Sequence, residues 1–498
     1  MKYEVRYLYK GNEYLNSSEV AEVTLLKGQN NVILTIAPKQ EIKIVSCRLS
    51  LDDEMHKGEK FFANGYQSWT LTKEIGLHEK TPRIGCLARL KKVENTYHIS
   101  AYGDSRFMPY RKHYSYSLTY LRKDIDYRFY GTYTEKNGYT VFFLDKKRQL
   151  WAEKDNKGLV LDKPVELFNI FREEGNEDKV FDDYVKFLGR KITTDEPLVG
   201  YTSWYRHYEN ISEELIEKDL KELQEKKLPF RLFQIDDGYE SHVGDWLMPK
   251  KKEFPHGMEP IIKDIQKAGY VPGIWLAPFC VNKDSILYKE HPDWVLKDKE
   301  GHPVYMGVNW NGTYALDFHL PEVREYIHKV FDYYKSLGVK LFKLDFLYAV
   351  TLVIHEDETR GELMTKAMEW IRKELDGCLI LGCGVPLFPA FFNVDYCRIG
   401  MDVGLDWDDK PYMRLLHLER VSTKNAISNI TFRAPFDHRF FLNDPDVVFL
   451  TGTRMTEEQK KKLFDTAKKY GSVHLTSDDF STYTDKERAL WNSILEKD

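Results

Sequence analysis

"RLFQIDDGYE", residues 231–240, is an apolar run that stops on two adjacent carboxylates and a glycine. It reads as a strand whose last buried residue is Ile235, followed by a turn through Asp236, Asp237 and Gly238. The same design recurs in "VGYTSWY" (199–205), "VPGIWLAP" (271–278), "KLFKLDF" (340–346) and "CLILGCG" (378–384). It continues in "YCRIGMD" (396–402), "FFLNDPD" (440–446) and "SVHLTSDD" (472–479). Eight strands alternating with helical segments over about 300 residues predict a (β/α)8 TIM barrel. An open doubly wound sheet usually has fewer strands, and no G-x-G-x-x-G turn is present.

The intervening segments have helical period. "SEELIEKDLKELQ" has Ser212 placed to cap and Ile216, Leu220 and Leu223 on one face. "LPEVREYIHKVFDYYKSLG" places Pro321 in its first turn and stops near Gly338. Its apolar stripe is Val323, Tyr326, Ile327, Val330, Phe331 and Tyr334.

Upstream the period changes. Residues 1–172 hold short runs rich in β-branched and aromatic residues, among them "NVILTIAP", "YRFYGTYT" and "YTVFFLD", with no useful helix-period stretch between them. Asn137-Gly138 predicts a tight hairpin. This part reads as an antiparallel β-sandwich-like domain. Residues 173–196 form a linking helix and connector, and 197–498 the barrel. The chain stops one helix after the eighth strand, so no separate C-terminal β-domain is expected.

The bulk numbers exclude several functions. A net charge of −5 is no basis for binding nucleic acid or an anionic membrane. The N-terminus "MKYEVRYLYK" lacks an apolar targeting region, and no run is long enough to span a bilayer. The six cysteines form no C-x-x-C pair and join no His cluster, which predicts free thiols, a cytoplasmic location and no bound metal. No cofactor is implied. No oligomeric state is implied.

Five of the eight strand runs end in acid: Asp236-Asp237, Asp345, Asp402, Asp444 with Asp446, and Asp478-Asp479. A single Asp after a strand is ordinarily a cap or turn residue, but in a barrel all these ends open on the face that carries active sites. Residues two apart on a strand point the same way, so Lys343 shares a side with Asp345, and Arg398 with Asp402. Inward-pointing ion pairs are expensive unless they line a polar pocket. Trp204 and Trp275 sit at equivalent points of strands one and three. Aromatic faces beside carboxylates and cations suit a sugar.

Nine segments, in order, resemble the α-galactosidases of glycoside hydrolase family 36, which share a clan with family 27. They are "NGYQSW" (64–69), "TSWY" (202–205), "QIDDGY" (234–239), "GDW" (244–246), "PGIWLAPF" (272–279), "FKLDF" (342–346), "LGCGVP" (381–386), "RIGMD" (398–402) and "LNDPD" (442–446). The resemblance implies a retaining exo-α-galactosidase acting on terminal galactosyl units of oligosaccharides. Asp345 matches the nucleophile and Asp402 the acid/base, a pair that works at a separation of about 5–5.5 Å. It implies that Asp236 and Asp237 clamp the sugar hydroxyls remote from the reacting carbon and that Trp69, Trp204 and Trp275 form walls. Lys343 and Arg398 match hydroxyl donors, and Cys383 lies near the reacting side. Lys343 should favour ionised Asp345, and Arg398 is expected to face the sugar or Asp345.

Two departures stand out. Leu344 lies between Lys343 and Asp345 where larger members carry Trp, and "FLYA" follows; this matches the compact branch. On the same scaffold, α-galactosyl transfer as in raffinose-synthase-like relatives and α-N-acetylgalactosaminidase activity are the alternatives. A metal-dependent enolase-type barrel would place its acids on consecutive strands, whereas the main ones here follow strands two, four and six. A silent sugar-binding module would not need both catalytic acids.

Overall fold

The computed structural model describes residues 1–82, 84–104 and 113–496. Two antiparallel sheets occupy the N-terminal part. One runs in spatial order Asn12–Leu15, Tyr3–Tyr9, Ile42–Glu54, Gln149–Asp155, Tyr139–Leu144, Tyr114–Tyr116, with Val160–Leu161 paired to Ile42–Glu54. The other runs Ala21–Lys27, Asn31–Pro38, Val165–Gly175, Asp126–Thr132, Leu118–Lys123, Lys60–Ala63, Lys73–Gly76. Alternate residues of Asn31–Pro38 point inward, and Leu34 and Ile36 meet Leu49, Phe142 and Ala152 in one buried core.

Two sequence expectations fail in this part. The Asn137-Gly138 turn does not close a hairpin. Asp126–Thr132 pairs with Leu118–Lys123 and Val165–Gly175, while Tyr139–Leu144 pairs with Gln149–Asp155 and Tyr114–Tyr116, so the turn passes the chain between sheets. Only the glycine takes the positive angle: Gly138 has φ +106, and a Cβ there would meet the Asp155 carbonyl oxygen at 2.6 Å. A dipeptide sets a local bend, not which strand the next run will join. The second miss is helical. Cys86–Arg89 is a 3-10 turn, and Lys91–Tyr97 and Ile99–Tyr102 are short helices. They are too short to show a period and are held by docking on the barrel, where Tyr102 bonds the Glu419 carbonyl and His98 meets Tyr305 edge-on.

The linking helix is Glu177–Leu188, capped by Asn176 and ended at Gly189. It buries Val180, Phe181, Tyr184 and Leu188. Those rings meet Phe129 on the sheet side and Phe436 and Phe440 on the barrel side, so the helix packs between the two parts.

The barrel strands are Leu198–Thr202, Leu232–Ile235, Val271–Leu276, Leu341–Leu344, Leu379–Gly382, Tyr396–Arg398, Leu442–Asp444 and Val473–Thr476. Neighbours pair in parallel in chain order, and the eighth pairs with the first. Strands seven and eight are joined by Ser472 N donating to Asn443 O at 3.0 Å and by a bridge between Val447 and Leu475, which completes the barrel. The strands are buried on both faces, which is why they read as unbroken apolar runs. The helices are as read: Ser212 Oγ accepts from Leu215 N at 3.2 Å, and Pro321–Leu337 ends at Gly338 with φ +93.

The strands are shorter than the runs that announced them. The first ends at Thr202, and Trp204 opens the turn of helix Trp204–His207, so Trp204 and Trp275 are not at equivalent strand positions. The sixth ends at Arg398, so Asp402 lies in the following loop and strand parity does not relate the two. A small sheet of Cys280–Asn282, Tyr305–Gly307 and Thr313–Ala315 grows from the loop after strand three. Among the described residues no helix is long and apolar enough to cross a membrane.

Candidate active site

The ends of strands two, three and four meet at the floor of one cavity of about 440 Å³. Asp345, one residue past strand four, is tied to strand three by its own N–H, which donates to Leu276 O at 2.9 Å. Its carboxyl takes one hydrogen bond on each oxygen: Trp275 Nε1 donates to Oδ2 at 3.1 Å and Phe346 N to Oδ1 at 2.8 Å. Burial raises its proton affinity above that of an ordinary aspartate, Lys343 and Trp275 oppose the rise, and Asp402 adds to it.

Lys343 favours ionised Asp345 through space, as the sequence reading expects, but its hydrogen bond goes elsewhere. Its Nζ donates to Asp236 Oδ2 at 2.9 Å. Burial works against the ammonium, yet the Asp236 carboxylate holds its pKa above the ordinary lysine range. Asp236 is saturated further: Gln234 Nε2 and Thr202 Oγ1 donate to Oδ2 at 2.6 and 3.1 Å, and Asp237 N donates to Oδ1 at 3.0 Å. Asp237 is held differently, by Trp310 Nε1 at 2.7 Å on Oδ2. Burial pushes its pKa up to about 6, against hydrogen bonds from Glu240 and Trp310.

Arg398 bonds carboxylates other than Asp345. Its guanidinium is shared by three carboxylates: Nη1 to Asp402 Oδ1 at 2.9 Å, Nε to Asp444 Oδ2 at 3.1 Å and Nη2 to Asp446 Oδ1 at 2.7 Å. Its side chain is 2% exposed, whereas that of Asp402 is 40% exposed. Asp446 also accepts from the Tyr205 hydroxyl and from Val403 N. Burial brings the Asp446 pKa to about 7, with Arg398 opposing and Asp402 reinforcing the rise.

Trp69 reaches the cavity from the N-terminal part. Its Nε1 donates to Cys383 Sγ at 3.2 Å, and its ring meets Phe346 edge-on at 5.0 Å. Gly384 passes beneath with φ +52, and a Cβ there would meet that ring at 2.9 Å. Burial and Asp345 together push the Cys383 thiol well up, so it is a neutral packing group behind Trp69.

Of the residues singled out in the sequence, Trp69, Trp204, Asp236, Asp237, Trp275, Lys343, Asp345 and Asp402 line the one cavity. Cys383 and Arg398 stand behind its wall. Sequence reasoning missed Trp310, Tyr102, Tyr205, Glu209, Asn309, Phe346 and Tyr348, which also line it, and an outer rim with Tyr97, Ile99, Met306, Met413 and Val421. These come from the 86–102 excursion, the small sheet and the segments after strands one, four and six. Only Trp310 left a trace, as an aromatic in the turn-forming stretch "NWNG" (309–312).

Known proteins resemble this chain in the same region and fold. The Melibiase family model matches residues 176–370. An Escherichia coli α-galactosidase is 35% identical over 106 residues, 20% of this chain and 14% of that protein. α-Galactosidase C of Emericella nidulans is 34% identical over 166 residues, 29% of this chain and 21% of that protein. The alignments thus span less than a quarter of either relative. An α-galactosidase from Thermus thermophilus, solved with p-nitrophenyl α-D-galactopyranoside, superposes with a TM-score of 0.76 at 26% identity, covering 99% of this chain and 94% of that one. A family 36 α-galactosidase from Geobacillus stearothermophilus shares the fold at 15% identity, TM-score 0.64, over 96% of this chain and 68% of that one. Over residues 176–370 the chain is thus similar to the melibiase family, and in its whole described fold it is similar to α-galactosidases, one of them of glycoside hydrolase family 36.

Proposed function

We propose that the protein is a retaining exo-α-galactosidase that hydrolyses terminal α-galactosyl units of oligosaccharides. The observation that carries the reading is that two carboxyls in contrasting surroundings, Asp345 and Asp402, face one cavity with a polar and aromatic floor. Asp345 is buried and hydrogen-bonded on both oxygens, so it is oriented; Asp402 is half open to solvent, where a leaving group departs. The complexes of the Thermus neighbour with an aryl α-galactoside and with stachyose support this substrate class.

An oxygen of the Asp345 carboxylate attacks the anomeric carbon as the bond to the aglycone oxygen breaks, and Asp402 transfers its proton to that oxygen. Asp402 then takes a proton from water, whose oxygen attacks the same carbon and releases Asp345 with net retention. The burial that raises Asp345 also makes it a stronger nucleophile. Asp446, which shares Arg398 with Asp402, keeps a raised proton affinity beside the acid. Asp236 and Asp237 accept from galactosyl hydroxyls, and misfit epimers leave these buried acceptors unpaired.

Asp345→Ala should lower kcat on an aryl α-galactoside by more than about a thousandfold, and azide should restore part of the activity with formation of β-galactosyl azide. Asp402→Ala should lose about a hundredfold or more on melibiose and far less on the aryl substrate. Full activity of Asp345→Ala overturns the assignment, and equal losses on both substrates remove the acid role of Asp402.

A further inference from the structure

The floor of the cavity is polar, but its rim is mostly apolar, with Ile99, Tyr102, Met306, Met413 and Val421. Two imidazoles break that pattern. His98 is taken up by Tyr305, which it meets edge-on at 5.2 Å. His417 is different: it lines the cavity and is only 5% exposed. Neither of its ring nitrogens has a hydrogen-bond partner among the described residues, and Nδ1 is fully enclosed. Burying a polar ring without a partner is costly, and folded proteins leave few such groups. At the wall of a binding cavity a ligand can supply a bond that the protein does not.

Two segments fix the ring in place. His417 follows helix Pro411–Leu416, and its backbone N–H donates to Met413 O at 3.1 Å. The N-terminal excursion packs against the same stretch: a Cβ at Gly85 would meet Leu416 O at 2.6 Å and His417 Cα at 3.5 Å, and the Tyr102 hydroxyl bonds Glu419 O. Tyr102 stands 6.1 Å from the Trp69 ring, so one wall runs from Trp69 through Tyr102 to the 417–419 segment. Met401 and Asp402 lie earlier in the loop that carries His417 and line the same cavity.

The chemistry of the ring narrows the ligand. Burial and Arg420 press its pKa down to about 4, so the imidazole is neutral at ordinary pH. A neutral ring offers an anion no charge. With Nδ1 enclosed, Nε2 is the nitrogen a ligand can reach. It donates in one tautomer and accepts in the other, and a hydroxyl can answer either.

We propose that His417 is a specificity-determining residue of the aglycone side, holding through Nε2 a hydroxyl of the sugar that leaves. The proposal rests on the reading of Asp402 as the acid, which places the aglycone oxygen beside this loop. The apolar groups of the rim then face the CH surface of the departing ring, and His417 reads its hydroxyl.

The test is steady-state hydrolysis of melibiose and of cyclohexylmethyl α-D-galactopyranoside by the full chain. Both release a primary alcohol attached to a six-membered ring, and only the first carries hydroxyls on that ring. Wild-type kcat/KM should favour melibiose by about fivefold or more, the weight of one neutral hydrogen bond. His417→Leu should lower that preference by about fivefold, whereas His417→Gln, whose amide reaches to where Nε2 stands, should keep it within about twofold of wild type. A purely structural role would lower both substrates together and leave the ratio unchanged in His417→Leu, which overturns the proposal. A wild type that does not favour melibiose overturns it whether or not any variant folds. Turnover of neither substrate overturns the galactosidase reading and this inference with it.

Discussion

At the residue scale the site is a set of unequal carboxyls, and the inequality is what permits a division of labour. Asp236 is locked by Lys343, Gln234 and Thr202, Asp345 by Trp275 and its own loop, and Asp402 is shared with two other acids on one arginine. Lys343→Met tests the first of these. It leaves the Asp236 carboxylate buried and unpaired, a state that costs about 3–5 kcal/mol. The expected result is a lower thermal midpoint together with at least about a tenfold rise in KM for an aryl α-galactoside. An unchanged KM would show that the pair has no part in shaping the floor. The acid-ended strand runs made Asp236, Asp237, Asp345 and Asp402 legible in sequence, because a strand end in a barrel has only one place to point. Sequence places Arg398 and Cys383 near the rim, but whether such a side chain faces the cavity depends on what it meets there.

At the element scale, helix limits were legible and strand limits were not. Ser212 and Gly338 end their helices by local hydrogen bonding and backbone conformation, which the residue itself carries. Barrel strands end where ladder bonding to two neighbours stops, and no residue of the strand records that. Hence Trp204 and Asp402 fell outside the strands assigned to them, though both still line the cavity. Ser212→Ala should remove the cap of helix Glu213–Lys226 and lower unfolding stability by about 1 kcal/mol. Because that helix lies on the outer layer, kcat/KM on an aryl α-galactoside should stay at the wild-type value. Denaturant midpoints and steady-state kinetics measured together separate the two effects, and a loss of activity without loss of stability would contradict the placement.

At the scale of the whole molecule, the β-sandwich is more than an appendage, since it supplies part of the cavity wall. The 64–72 loop is pinned by Arg433, buried completely, whose guanidinium donates to Ser68 O at 2.6 Å, Ile399 O at 3.0 Å, Gln67 O at 3.1 Å and Asn64 Oδ1 at 3.1 Å. Asn429 adds bonds to Thr70 and Thr72. A second clamp joins Arg360 of the barrel to Asp104 and Asp155 of the N-terminal part. Arg433→Met would leave four acceptors without this donor, at about 1–3 kcal/mol for each one that stays dry. Trp69 should then lose its fixed position. The expected signature is a raised KM with a smaller change in kcat, and thermal unfolding that separates into two transitions followed by tryptophan fluorescence. A single transition at the wild-type temperature would mean that Arg433 does not couple the two parts.

What the sequence determined by itself was the barrel, the order of its strands and the residue types gathered at its carboxyl end, because apolar period and acid-ended strands are local patterns with one compact solution. What only the tertiary structure decided was the pairing: Lys343 with Asp236, Arg398 with three carboxylates, Asp237 with Trp310, and the short helical excursion at the cavity mouth. Each of these depends on which groups share a buried volume. Desolvated charges choose partners by distance and geometry across the fold, a choice that residue spacing along the chain does not encode.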